Sequence, residues 1–354
     1  MIPPQTLFRS LSLALGLLAL EPAYADWTDA LESRIERIDQ DTPGKIGVYV
    51  KRLDDGKSLN YEADRLWYLG SAVKLPIALA VLQEVEAGSH RLNESLTLQD
   101  TDKIDGSGNV VWQKTGTRYT LDQLLKKMLM ESDNTAANML VRAIGEDTVN
   151  RRARDYLGSR GFKQITNFTQ VRYEVYRELH PDATKLTNMQ MVEVAGAPMG
   201  AERVTAFRRA LSLEPNELKA TSMDDAYNRY YAKEMNAVTL TAYGDMLEKL
   251  VTGKVLKQPQ HLTALYKNMK YDSYDAYRLE AGLPRTVRFI HKTGTQHERA
   301  CHAGVINPQD NGRNAIVVVA CAEEMDESKV AAKAFEQVGR AITQTMLAEQ
   351  TSRK

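Results

Sequence analysis

The chain has 354 residues, of which 43% are hydrophobic and 26% charged, the proportions of a folded protein rather than a disordered or membrane-embedded one. Lys and Arg total 46, as do Asp and Glu, so the formal net charge is zero and nothing in the balance favours nucleic acid or an anionic membrane as partner. The length accommodates one large domain with lobes or two ordinary domains.

The opening residues, Met1 to Arg9, form a short basic start. An apolar run follows from Leu11 to Leu20, and then Ala23-Tyr24-Ala25 precedes Asp26. This order fits an export signal (residues 1–25) cut after Ala25, which leaves 26–354 as the mature chain and predicts a periplasmic or secreted location. The run is too short to span a bilayer, and no later stretch is long and apolar enough, so no membrane anchor is expected after cleavage.

Asp26 to Asp41 spaces Trp27, Ala30, Leu31, Ile35 and Ile38 at helical intervals. Lys45 to Leu53 alternates apolar and polar residues, Asp54-Asp55-Gly56-Lys57 turns the chain, and Ser58 to Tyr61 returns, predicting a β-hairpin. Gly70-Ser71-Ala72-Val73-Lys74-Leu75-Pro76 then opens an apolar helix ending near Gly88. Residues three apart share a helix face, so Lys74 lies beside the Ser71 hydroxyl. A serine becomes a nucleophile when a neighbour takes its proton, and burial can lower a lysine's pKa enough for that task. Free N–H groups at the helix start can also stabilise an oxyanion. Taken alone, the residues read more simply as an N-cap serine before an amphipathic lysine, so the rest of the chain decides.

A polar, Gly-containing connection from Asp100 to Thr117 leads to Thr120, which caps a helix over Leu121 to Glu131. Ser132-Asp133-Asn134 follows as a tight turn into the next helix, Thr135 to Ile144, and would present polar side chains from a rigid mount. Glu146 to Gly282 is almost wholly helical in pattern, broken at Gly158, Gly161, Pro181, Pro198, Pro215 and Gly253. Val287 to Lys292 reads as a strand ending in His291-Lys292-Thr293-Gly294-Thr295. A lysine and a threonine on a strand edge, with a glycine allowing close approach, make a rail for a carboxylate. Ala300 to Ile306 and Ala315 to Ala322 form a second hairpin, and Ser328 to Leu347 a closing amphipathic helix. Cys301 and Cys321 flank that hairpin at similar distance from its turn, a spacing met either by a cross-strand disulfide or by two buried thiols.

Strands thus fall near the two ends of the mature chain with helices between them. The expected fold is α/β of the α+β type: an antiparallel sheet built from both chain ends, flanked by helices, with an inserted all-helical lobe. The expected sheet lobe covers 26–66 and 286–354, and the helical lobe 67–285. A small ligand would bind in the cleft between them.

Ser-x-x-Lys opening a buried helix, Ser-Asp-Asn between two helices and Lys-Thr-Gly on a late strand is the ordered set that marks class A β-lactamases and penicillin-binding proteins. The chain resembles that serine hydrolase superfamily over nearly its whole mature length, and class A β-lactamases most closely. Ser132 to Asn138 matches the family's second motif with its helix, and Thr239 to Gly253 looks like the helix after the family's Ω loop. The resemblance implies Ser71 as the acylated nucleophile and Lys74 as its general base or base partner. Ser132 would pass a proton to the leaving nitrogen, and Asn134 would hold the substrate amide. Lys292 and Thr293 would bind the carboxylate, beside Gly294, and the N–H groups of Ser71 and Thr295 would form the oxyanion hole. An arginine on the following strand often assists in the family; Arg299 and His302 are the near candidates. No cofactor or metal is implied.

The chain departs from the family in the Ω-loop region, about 168–238, which is enlarged. Arg172-Tyr173-Glu174 matches the family's Arg-x-Glu and makes Glu174 the candidate deacylating base, with Asp182 as a partner for Arg172. Glu214 is the alternative, from Glu214-Pro215-Asn216-Glu217-Leu218. The leading expectation is a monomeric β-lactamase that forms and hydrolyses an acyl-Ser71 ester with a β-lactam. The alternatives are a D,D-peptidase or transpeptidase acting on D-alanyl stem peptides, and a non-hydrolysing β-lactam or muropeptide sensor.

Overall fold

The computed structural model describes residues 26–347; the candidate export signal lies outside the described residues. In chain order the first elements are α1 (Trp27–Gln40), β1 (Lys45–Arg52), β2 (Ser58–Tyr61), β3 (Leu66–Tyr68), α2 (Lys74–Glu86), β4 (Ser95–Thr97) and β5 (Arg118–Thr120). Helices α3 (Leu121–Met130), α4 (Asn134–Ile144), α5 (Glu146–Leu157), α6 (Phe168–Leu179), α7 (Asn188–Gly196), α8 (Ala201–Leu211) and α9 (Met223–Tyr231) follow. The chain closes with β6 (Ala237–Thr239), α10 (Leu240–Val251), α11 (Pro259–Asn268), β7 (Phe289–Gln296), β8 (Arg299–Ile306), β9 (Ile316–Glu323) and α12 (Val330–Ile342).

The main sheet has the order β2-β1-β9-β8-β7 with antiparallel neighbours, so both chain ends build it. Alternation along each strand sends residues to opposite faces. On β1 and β9, Val48, Val50, Val318 and Ala320 meet α1 and α12 on one face; Tyr49, Val317, Val319 and Cys321 meet the helical core on the other. Helix α2 is apolar on every side and buried from Lys74 to Leu82, which makes it the axis of that core.

Three features differ from the sequence reading. Strands are not confined to the chain ends: β3 pairs with β6 and β4 with β5, each too short for alternation to show. Strand β7 runs on past Lys292 to Gln296, because pairing with β8 (Thr293 with His302, Gly294 with Cys301, Thr295 with Ala300) keeps the glycine in the ladder. Ser71 lies in a 3₁₀ turn, Gly70–Val73, and α2 begins at Lys74. The 168–238 region supplies most of a separate apolar cluster that also takes in Tyr68 and Ile104, with Tyr176 stacked on Phe207 at 5.4 Å and Tyr227 and Tyr230 buried beside them. Among the described residues, no helix is long and apolar enough to cross a membrane.

Candidate active site

Two glycines bring Ser71 against β7. A Cβ on Gly294 would lie 1.8 Å from the Leu69 carbonyl oxygen, so only glycine lets this strand approach the 3₁₀ turn. Gly70 has φ +52, and a Cβ there would meet the Thr295 backbone nitrogen at 2.7 Å. The two positions seat the start of the Ser71 turn next to the Thr295 N–H.

Lys74, itself fully buried, projects from the first residue of α2 into a partly buried polar knot. Its Nζ lies 2.9 Å from Ser71 Oγ, 2.5 Å from the Ser132 carbonyl oxygen, 2.6 Å from Asn134 Oδ1 and 3.2 Å from Ser132 Oγ. Burial first, and then the nearby Lys292 charge, hold its pKa well below the ordinary lysine value, with Asp133 opposing. A neutral amine has two hydrogens. The Ser132 carbonyl and Asn134 Oδ1 can only accept, so they take both and leave the nitrogen lone pair for the Ser71 hydroxyl. The Asn134 amide cannot turn over without loss, because its Nδ2 donates to the Asp105 carbonyl at 2.8 Å.

Ser132 is held with φ 55, in the left-handed region, between α3 and α4. That conformation is supported by Asp133, which caps α4 by accepting from Ala136 N at 2.8 Å and also accepts from Val110 N at 2.9 Å. Ser132 Oγ sits between two lysines, since Lys292 Nζ donates to it from β7 at 3.0 Å. Burial, then Lys270 and Arg278, push the Lys292 pKa down to about 7.

The structure thus gathers Ser71, Lys74, Ser132, Asn134 and Lys292 into one hydrogen-bonded group, with Thr293, Gly294 and Thr295 along the adjoining strand. Glu174 is not part of that group. It lies on α6 with Oε1 on Arg177 and Oε2 on Lys233, both at 2.7 Å. Burial raises its pKa, and the Lys233 and Arg177 bonds outweigh that and lower it overall. Glu214 is exposed at the head of a short 3₁₀ turn. Asp182 pairs with Lys185 at 2.7 Å, whereas Arg172 grips Asp105 with two N–H groups at 2.8 and 2.6 Å and donates to Tyr227 OH at 2.7 Å.

Neither strand candidate faces the rail. Arg299 stacks on Tyr231 with 4.4 Å to the ring centroid, and His302 is buried against His291 with 2.9 Å between ring nitrogens. The cation there is Arg278, from the segment before β7. It is buried, and it donates to the Gly294 carbonyl at 2.8 Å, the Cys301 carbonyl at 2.9 Å, Thr295 Oγ1 at 2.9 Å and the Glu327 carbonyl at 3.0 Å. No motif marks it, since only the folded path brings that loop behind the strand. Phe168 was equally invisible: its ring centroid lies 4.4 Å from Lys74 Nζ.

The model of the β-lactamase enzyme family matches residues 30–346. The β-lactamase CTX-M-6 of Salmonella typhimurium is 30% identical over 267 residues, covering 75% of this chain and 72% of that protein. A β-lactamase of Rhodobacter capsulatus is 30% identical over 134 residues, 38% of this chain, which spans about half that protein's length (45%). The solved structure of PBP-A superimposes with a TM-score of 0.67 at 19% identity, covering 92% of this chain and 99% of that one, a likeness of fold. With the family model matching residues 30–346, nearly all of the described residues, and with a serine placed against a buried lysine, this chain belongs to the β-lactamase enzyme family as a β-lactamase-like serine hydrolase.

Proposed function

We propose that a β-lactam acylates Ser71 and that the ester is then hydrolysed. The observation that carries this reading is the buried Lys74 amine, whose nitrogen lies 2.9 Å from Ser71 Oγ with the Ser132 carbonyl and Asn134 Oδ1 placed to accept its hydrogens. Ser71 Oγ attacks the lactam carbonyl while its proton passes to Lys74. As the C–N bond breaks, Ser132 delivers its proton to the leaving nitrogen and takes one back from the Lys74 ammonium, 3.2 Å away, which restores the neutral amine. The Ser71 and Thr295 N–H groups take the oxyanion, and Lys292 with Thr293 takes the substrate carboxylate. Asn134 holds Lys74 through its Oδ1.

The order of basic, apolar and small residues before Asp26 supports export, and with it a periplasmic or secreted location. N-terminal sequencing of the exported protein should begin at Asp26. Time-resolved mass spectrometry with benzylpenicillin tests the chemistry: wild type should gain the mass of penicillin, and Ser71→Ala should not. A Ser71→Ala variant that still gains that mass would displace Ser71 as nucleophile.

A further inference from the structure

The Lys74 nitrogen is surrounded by the oxygens of Ser71, Ser132 and Asn134 and, on a further side, by an aromatic ring. That ring is Phe168, the first residue of α6, and its position is fixed from behind. The Phe168 N–H donates to Asn138 Oδ1 at 2.8 Å, and Asn138 Nδ2 donates to Thr169 Oγ1 at 2.8 Å. Asn138 stands one helical turn beyond Asn134 on α4, so the helix that orients Lys74 also anchors the start of α6, from which the ring reaches over the amine. Among the described residues, no carboxylate contacts Ser71 or Lys74. The glutamate six positions along α6 points about 120° away around the helix, into Arg177 and Lys233.

Hydrolysis of an acyl-serine forms a bond from water oxygen to the ester carbon and breaks the bond to Ser71 Oγ. One water proton goes to a base and from there to Ser71 Oγ; the acid is released and ionises. A phenyl ring has no lone pair to accept that proton, and an apolar wall gives a water none of the polar partners it needs. In acylation the same ring is harmless, since its negative face stabilises the ammonium that forms when Lys74 takes the Ser71 proton.

We infer that Phe168 determines the fate of the acyl-enzyme: by covering Lys74 it makes hydrolysis of the Ser71 ester the slow step, so that the adduct accumulates. This rests on acylation of Ser71 by a β-lactam. The test is quenched-flow mass spectrometry with product release for wild type, Phe168→Glu and Phe168→Ala, all with benzylpenicillin. Wild type should show a burst of one equivalent and carry the adduct through the steady state. Phe168→Glu should shorten the adduct lifetime by about 100-fold, the usual worth of a placed base, and Phe168→Ala by less, since it admits water without supplying one. Product formation by wild type with no adduct detected overturns the role of Phe168 and leaves acylation standing. Neither adduct nor product from wild type removes the acylation reading and this inference with it. A long-lived wild-type adduct that neither variant shortens also overturns the assignment to Phe168.

Discussion

Asn134 Oδ1 accepts a hydrogen from Lys74 Nζ at 2.6 Å, and the Asp105 carbonyl holds the same amide in that orientation. The bond helps to keep the lysine lone pair on Ser71. Replacing the amide by a carboxylate, Asn134→Asp, would set a negative charge against the amine and raise its pKa, since an opposite charge favours the protonated form. Acylation needs the neutral amine, so its acid limb should move to higher pH and the rate at neutral pH should fall by tenfold or more, roughly one pKa unit of lost base. A pH profile of the acylation rate checks this; an unmoved acid limb would mean that Asn134 does not tune Lys74.

Lys292 predicts the opposite limb. Burial and the charges of Lys270 and Arg278 bring its pKa to about 7 in the unliganded protein. If, as proposed, it binds the substrate carboxylate as an ammonium, the rate of acylation at low substrate concentration should fall as pH rises through about 7. Lys292→Arg keeps a cation that does not titrate in this range, and should remove that limb while weakening binding through poorer fit. The acylation rate constant per substrate concentration, measured from pH 5 to 9 on both proteins, decides the point.

Much of this site was legible because three short motifs each sit on a regular element whose ends are written locally. Thr120 is a cap residue in the sequence and in the structure, and the apolar run after Lys74 is the core helix. What was not legible depends on how distant segments meet. Arg172 was placed against Asp182 by proximity in sequence, yet it turns inward to Asp105, on the connection whose carbonyl steadies Asn134. Arg278 and Phe168 carry no motif, and each matters only through the backbone or side chain that folding sets beside it.

Arg278 donates to the Gly294 carbonyl, which belongs to the same peptide unit as the Thr295 N–H. A cation on the oxygen end of that peptide orients it and strengthens its N–H as a donor. Arg278→Ala should lower the acylation rate by an order of magnitude or more and also lower stability by about 1–3 kcal/mol, the cost of leaving buried carbonyls unpaired. Arg278→Lys, which keeps the charge but not the fork, should recover stability better than rate. Acylation kinetics beside thermal melts separate the two effects; equal recovery of both would reduce Arg278 to a structural role.

Cys301 and Cys321 are directly paired across β8 and β9 and are joined as a disulfide, with Cα atoms 4.1 Å apart and a sequence separation of 20. Of the two arrangements open at the level of sequence, register selects the bridge, because the hairpin turn places the cysteines opposite each other on the face toward the helical core. Closing a loop of that length constrains the unfolded chain by about 3 kcal/mol. The bridge also lies next to the site, since the Cys301 carbonyl accepts from Arg278 at 2.9 Å. Removing both thiols by Cys301→Ala with Cys321→Ala, or reducing the native protein, should lower stability by about 2–4 kcal/mol, measured by denaturant unfolding. The wild-type protein, denatured without reductant, should titrate no thiols with a chromogenic disulfide reagent; two titratable thiols would rule out the bridge and predict equal stability with and without reductant.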